Sequence, residues 1–137
     1  MYTKGTKMKK ILVFGNPLVP QDSLALKVAK TLQKEFVDIE FKELDAVEEI
    51  QNEGKNLIIL DVVQGLKKTI VIDNLDQIKT TSIYTMHDFD LAWNLKLLKK
   101  IGAIEEVKII GIPMNYAKKN AVKETKKIIT SLLLKNE

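Results

Sequence analysis

Two short apolar runs divide the chain, Ile11 to Phe14 and Leu57 to Leu60, and a further, mixed run spans Val107 to Ile112, interrupted by Lys108 and Gly111. Strands that are apolar without alternation are covered on both faces, which is the condition of the central strands of a parallel sheet. Each run stops abruptly, at Gly15-Asn16-Pro17, at Asp61 and at Pro113. Between the runs the period changes. From Asp22, residues Leu24, Val28 and Leu32, flanked by Ala25, Ala29 and Phe36, recur every three to four positions and predict a helix with one buried stripe. Val37 to Leu44 alternates as a strand does, and Ala46 to Asn52 reads as a short acidic helix ending near Gly54.

Later segments continue the alternation. Thr69 to Ile72 is β-branched and fits an edge strand, with Gly65 allowing a tight return from the preceding one. Asp73 to Met86 is polar and without period, so it reads as loop, with His87 at its end. A helix is expected from Asp88 or Asp90 to about Lys100, its apolar side made of Leu91, Leu95, Leu98 and Ile101 and widened by Trp93 and Leu97. Gly102 stops it, and a terminal helix spans Asn120 to Leu134. The implied fold is α/β: a three-layer, mostly parallel twisted sheet of about five strands with helices on both faces. Residues 1–137 are expected to form one domain, with 1–8 a flexible tail.

Composition removes several chemistries. The chain has no cysteine, which excludes disulfides, thiolate metal sites and a cysteine nucleophile. Its 137 residues carry a formal charge of +4, with every cation a lysine, scattered in pairs such as Lys67-Lys68 and Lys99-Lys100. That is the pattern of a solvated surface rather than a nucleic-acid footprint. No run approaches the roughly 20 apolar residues of a membrane span, and no export signal is visible, so the expected location is the cytoplasm and no membrane insertion is expected.

Ligands of open α/β sheets sit beyond the carboxyl ends of the strands. The loops there offer Asp22, Asp61 and His87, the last being the only histidine in the chain. Two carboxylates and an imidazole make a hard to borderline donor set suited to nickel, zinc, manganese or iron. Each residue also has a structural reading: Asp22 as a helix-start acid, Asp61 as a strand-end acid, His87 as a loop bystander beside a helix-capping Asp88. Ser23 and Ser82 lie in no G-x-S-x-G elbow, and neither a P-loop nor a G-x-G-x-x-G fingerprint is present.

The segment Ile11-Leu-Val-Phe-Gly15-Asn16-Pro17-Leu18, with Asp22 six positions after the asparagine, resembles the G-N-x-L-x-x-D-[DE] motif of the hydrogenase maturation endopeptidases. Leu57-Ile-Ile-Leu-Asp61, Thr85-Met-His-Asp88 and Gly111-Ile112-Pro113 are similar to later segments of that family, in the same order. The resemblance implies a peptidase that removes the C-terminal extension of a nickel-iron hydrogenase large-subunit precursor after nickel insertion. It implies that Asp22, Asp61 and His87 contact the metal, that the nickel is carried by the substrate, and that zinc or cadmium can occupy the same site. It implies a smaller role for Asn16 in shaping the substrate cleft. The expected state is a monomer. Val13, Gln21 and Ser23 to Ala25 depart from the family pattern, and Pro113 comes one position early. These changes reshape the first loop and keep open two alternatives: a metal-dependent binding module of the same fold that has lost cleavage, and an unrelated flavodoxin-like binder.

Overall fold

The computed structural model describes residues 9–15, 18, 23–44, 47–75 and 86–134; for 47–49, 86–90 and 92 it describes the backbone alone. Five strands, β1 (Lys9–Val13), β2 (Ile39–Glu43), β3 (Asn56–Val63), β4 (Ile70–Ile72) and β5 (Glu106–Pro113), form one sheet in the order β2-β1-β3-β5-β4. The first four in that order run parallel, and β4 pairs antiparallel with β5. The α/β class, the five strands and the mostly parallel sheet are as the sequence predicts.

The two unbroken apolar runs became β1 and β3, and the interrupted one became β5; these are the central strands, whose faces are covered on both sides. Alternation then sorts their side chains between two cores. Leu12, Leu57, Ile59, Val107 and Ile109 point to the side covered by α2 (Met86–Lys100) and by a 3₁₀ segment, Val47–Glu53. Ile11, Val13, Leu60, Val62, Ile110 and Ile112 point to the side of α1 (Leu24–Gln33) and α3 (Lys118–Ile129).

The edges are closed by side chains. Gln33, the last residue of α1, donates to the Ile39 carbonyl at 2.7 Å and accepts the Phe41 N–H at 3.0 Å, so its amide occupies hydrogen-bonding positions along β2. On the opposite edge, Glu124 of α3 accepts the Thr69 N–H at 2.9 Å and the Tyr116 hydroxyl at 2.8 Å, fixing the entry to β4.

Two features of the sheet give stability predictions. Glu53 closes the 3₁₀ segment by receiving Lys10 of β1 at 2.6 Å and Lys42 of β2 at 2.8 Å, with its own side chain only 6% exposed. The hydrogen bonds from Lys10 and then Lys42 hold its carboxyl below the ordinary glutamate range, outweighing the opposing effect of burial. A depressed folded-state pKa contributes stability that is present above the unfolded value, near 4.3, and is lost as pH falls through the folded value. Glu53→Gln is therefore expected to cost about 1 kcal/mol at neutral pH. The difference between variant and wild type should shrink below about pH 4, as read from urea midpoints across pH.

The second feature is Gly111, opposite Asp61 in the β3 to β5 register. A Cβ there would lie 2.9 Å from Leu66 Cδ1, 3.2 Å from Val63 Cγ2 and 3.4 Å from Ile72 Cδ1. Leu66 can swing its tip aside, whereas β-branched Val63 is stiffer. Gly111→Ala is expected to cost about 1 kcal/mol and Gly111→Val about 3 kcal/mol, measurable as a falling urea midpoint across the pair.

Several boundaries differ from expectation. β3 does not end at Asp61 but runs two residues further, to Val63, because β5 continues beside it to Pro113. β4 lies at an edge as predicted, but it pairs with β5 rather than returning along β3; Gly65 does turn with φ +95°. α2 begins at Met86, before Asp88. Trp93 and Leu97 do not widen the buried stripe of α2, and Ile101, expected within that stripe, lies just past the helix end: they are 61%, 47% and 67% exposed, while Leu91 and Leu95 are buried. α3 ends at Ile129 and passes into a π-type turn over Thr130–Leu134. The expected tail 1–8 and most of the expected loop from Asp73 to Met86 fall outside the described residues.

Candidate functional site

In the order β2-β1-β3-β5, the chain leaves β1 toward β2 on one side, then resumes at β3 and proceeds to β5 on the other. The crevice between the carboxyl ends of β1 and β3 is therefore the switch point, where open α/β sheets bind ligands. Asp61 stands at that point. Val13, the last residue of β1, is opposite Leu60, and the next N–H, that of Phe14, reaches the Leu60 carbonyl at 3.0 Å. Asp61 is thus level with the place where β1 has ended, although its own strand continues.

This placement explains its local bonding. Leu60 turns its carbonyl toward β1, and in a parallel strand the N–H two residues on turns the same way. The N–H of Val62 therefore faces the gap that β1 leaves. It donates instead to Oδ1 of Asp61, at 2.9 Å. A backbone donor that would otherwise be orphaned is satisfied by the preceding side chain. Asp61 is 3% exposed, so its carboxylate sits where a charge is costly unless it is compensated.

By strand alternation Asp61 belongs with Ile59 and Val63, on the face that α2 covers. α2 is followed by Ile104 and then by Glu105, whose N–H bonds the Lys55 carbonyl at the amino end of β3, so the helix finishes at the amino edge of the sheet. At 1.5 Å per residue its 15 residues run about 22 Å back toward the carboxyl edge. His87 occupies its first turn, at the end nearer the crevice. The side chain of His87 lies outside the described structure, and so do Asp22 and Asn16 entirely. Asp22 precedes α1 by two positions, the intervening Ser23 being buried. Among the described residues no group of three His, Asp or Glu side chains gathers as a metal site. Of the three expected ligands, Asp61 is the one whose side chain is described.

The backbone fold is similar to that of known structures. The chain superposes on the hydrogenase maturating endopeptidase HybD from E. coli with a TM-score of 0.64, covering 90% of this chain and 93% of the other at 16% identity. It shares their fold with two further proteins. One is a hydrogenase 3 maturation protease, at TM-score 0.60, 21% identity and 90% coverage of each chain. The other is an endopeptidase from Escherichia coli, at TM-score 0.62 and 15% identity, covering 89% of this chain and 93% of that one. No protein-family model matches the chain, and no curated protein matches it. The likeness is in the path of the backbone over nearly the full length of both partners.

Proposed function

We propose that the chain is a hydrogenase maturation endopeptidase. It removes the C-terminal extension of a nickel-iron hydrogenase large-subunit precursor once nickel is inserted, and it works as a cytoplasmic monomer. The observation that carries this reading is the coincidence of two independent things: a backbone like that of HybD over 90% of the chain, and a buried acid, Asp61, at the switch-point crevice of that backbone. No described helix is long and apolar enough to cross a membrane.

In this reading the nickel arrives with the substrate. Asp22, Asp61 and His87 contact it, and zinc or cadmium can stand in for it. Held there, the ion supplies Lewis acidity for peptide hydrolysis. The residues of the chain orient the precursor: Asp61 presents a carboxylate from a rigid central strand, His87 adds an imidazole from the start of α2, Asp22 approaches from the first loop, and Asn16 shapes the cleft. Contact with the metal makes cleavage conditional on a loaded precursor.

Nickel-loaded precursor incubated with the purified protein is expected to lose its tail, while nickel-free precursor stays intact. Stable complex formation without shortening would favour the binding-module alternative, which the altered residues Val13, Gln21 and Ser23 to Ala25 keep in view. Shortening of both precursors alike would remove metal recognition from the proposal.

A further inference from the structure

At about 100° per residue, α2 turns Leu91, Leu95 and Leu98 toward the sheet and Trp93, Leu97 and Ile101 well away from it. The outer three are four residues apart, and the Ile101 N–H still bonds the Leu97 carbonyl at 3.1 Å, so they form one continuous ridge. Trp93 is the only tryptophan of the chain. A shallow depression of about 200 Å³ is lined by Trp93, Lys96, Leu97 and Lys100. A second, of about 280 Å³, adjoins it through Lys96 and Lys100 and extends across Lys99 to Asn74 and Leu75. An apolar ridge is thus bordered along one flank by three lysines.

We infer that the Trp93-Leu97-Ile101 ridge and its Lys96, Lys99 and Lys100 flank form a protein-docking surface for a segment of the large-subunit precursor that presents apolar side chains beside carboxylates. Charge selects this occupant. A second copy packed antiparallel on the ridge would bring the lysine flanks of both copies together, and like charges at an interface are unfavourable. An acidic amphipathic segment meets both halves of the surface at once: aromatic and aliphatic anchors carry affinity, and rim charges steer approach. The ridge lies on the helix whose first turn holds His87, starting about 10 Å along it. A precursor seated there is gripped by the same rigid element that enters the cleavage site. The partner's identity rests on the function proposed above.

The test is cleavage and binding of nickel-loaded precursor by the full chain and two double variants, Trp93→Ala with Leu97→Ala, and Lys96→Glu with Lys100→Glu. KM is expected to rise about tenfold or more in the first, with kcat within about twofold of wild type. In the second, affinity falls and its dependence on salt weakens. Circular dichroism and urea midpoints near wild type establish that both variants fold. Unchanged KM in both variants, with cleavage intact, overturns the docking surface alone; absence of both binding and cleavage in wild type overturns the function and the surface together. Two other results overturn it as well. One is a concentration-dependent dimer in size-exclusion chromatography that the Trp93→Ala and Leu97→Ala variant abolishes. The other is a blue shift of Trp93 fluorescence on anionic vesicles.

Discussion

Asp61→Asn is expected to keep the fold and to lower cleavage of nickel-loaded precursor by at least about a hundredfold. The substitution retains an oxygen where Oδ1 accepts the Val62 N–H at 2.9 Å, so the gap left by β1 stays satisfied. What it removes is the negative charge offered to a cation in a buried position. Asp61→Ala removes both, and an orphaned buried N–H adds about 1 to 3 kcal/mol of instability. The pair separates the two roles of one residue. If Asp61→Asn cleaves at the wild-type rate and Asp61→Ala merely unfolds more easily, Asp61 is a structural acid only. Titration of nickel or zinc into the same variants gives an independent reading, since affinity is expected to fall with the charge in both.

The central sheet was legible because its cause is local. A strand buried on both faces is apolar nearly throughout, and the runs at Ile11 and Leu57 read directly that way, while Val107 to Ile112 is a strand interrupted by Lys108 and Gly111. Strand ends are set by neighbours and are not written in the run itself. Asp61 breaks the apolar pattern and reads as a terminus, yet β3 continues because β5 offers it a partner through Pro113. The partner of β4 was equally hidden. A glycine turn after β3 permits a hairpin, but β5 occupies the place beside β3, and β4 can add only outside it.

On α2 the period was read correctly while its width was not. Leu91, Leu95 and Leu98 keep within one stripe, but Ile101, expected to share it, and Trp93 and Leu97, expected to widen it, lie too far round the helix. Summing angles along the helix would have separated the two ridges from sequence alone. Of the candidate site, the placement of Asp61 was legible by another route, while Asp22, Asn16 and the side chain of His87 lie outside the described residues. An acid after an apolar strand points to the ligand edge of such a sheet, and Asp61 is found level with the end of β1, at the switch point. Its bond to Val62 was not foreseeable, since it arises from β1 being shorter than β3.

Leu95→Ala is expected to lower the stability of the chain by about 2 to 5 kcal/mol and to impair cleavage beyond what that loss explains. Leu95 is fully buried where α2 meets the core that includes Ile59, Ile104 and Ile109. Truncation removes transfer free energy and leaves a cavity, and the neighbours that line it are held by a rigid sheet that cannot collapse inward. Trp93→Ala, two residues away on the exposed ridge, is expected to change stability by less than about 0.5 kcal/mol. Urea denaturation of the two variants checks this contrast directly. The functional consequence follows from connectivity: Leu91 and Leu95 hold the middle of α2 to the core, and His87 occupies the turn just before them. Loosening that seat lets the start of the helix shift relative to Asp61, and misplacement by about 1 Å costs on the order of a hundredfold in rate. Cleavage by Leu95→Ala is therefore expected to fall even in mild conditions where the variant remains folded. Full activity of folded Leu95→Ala would mean that the placement of His87 does not matter for cleavage.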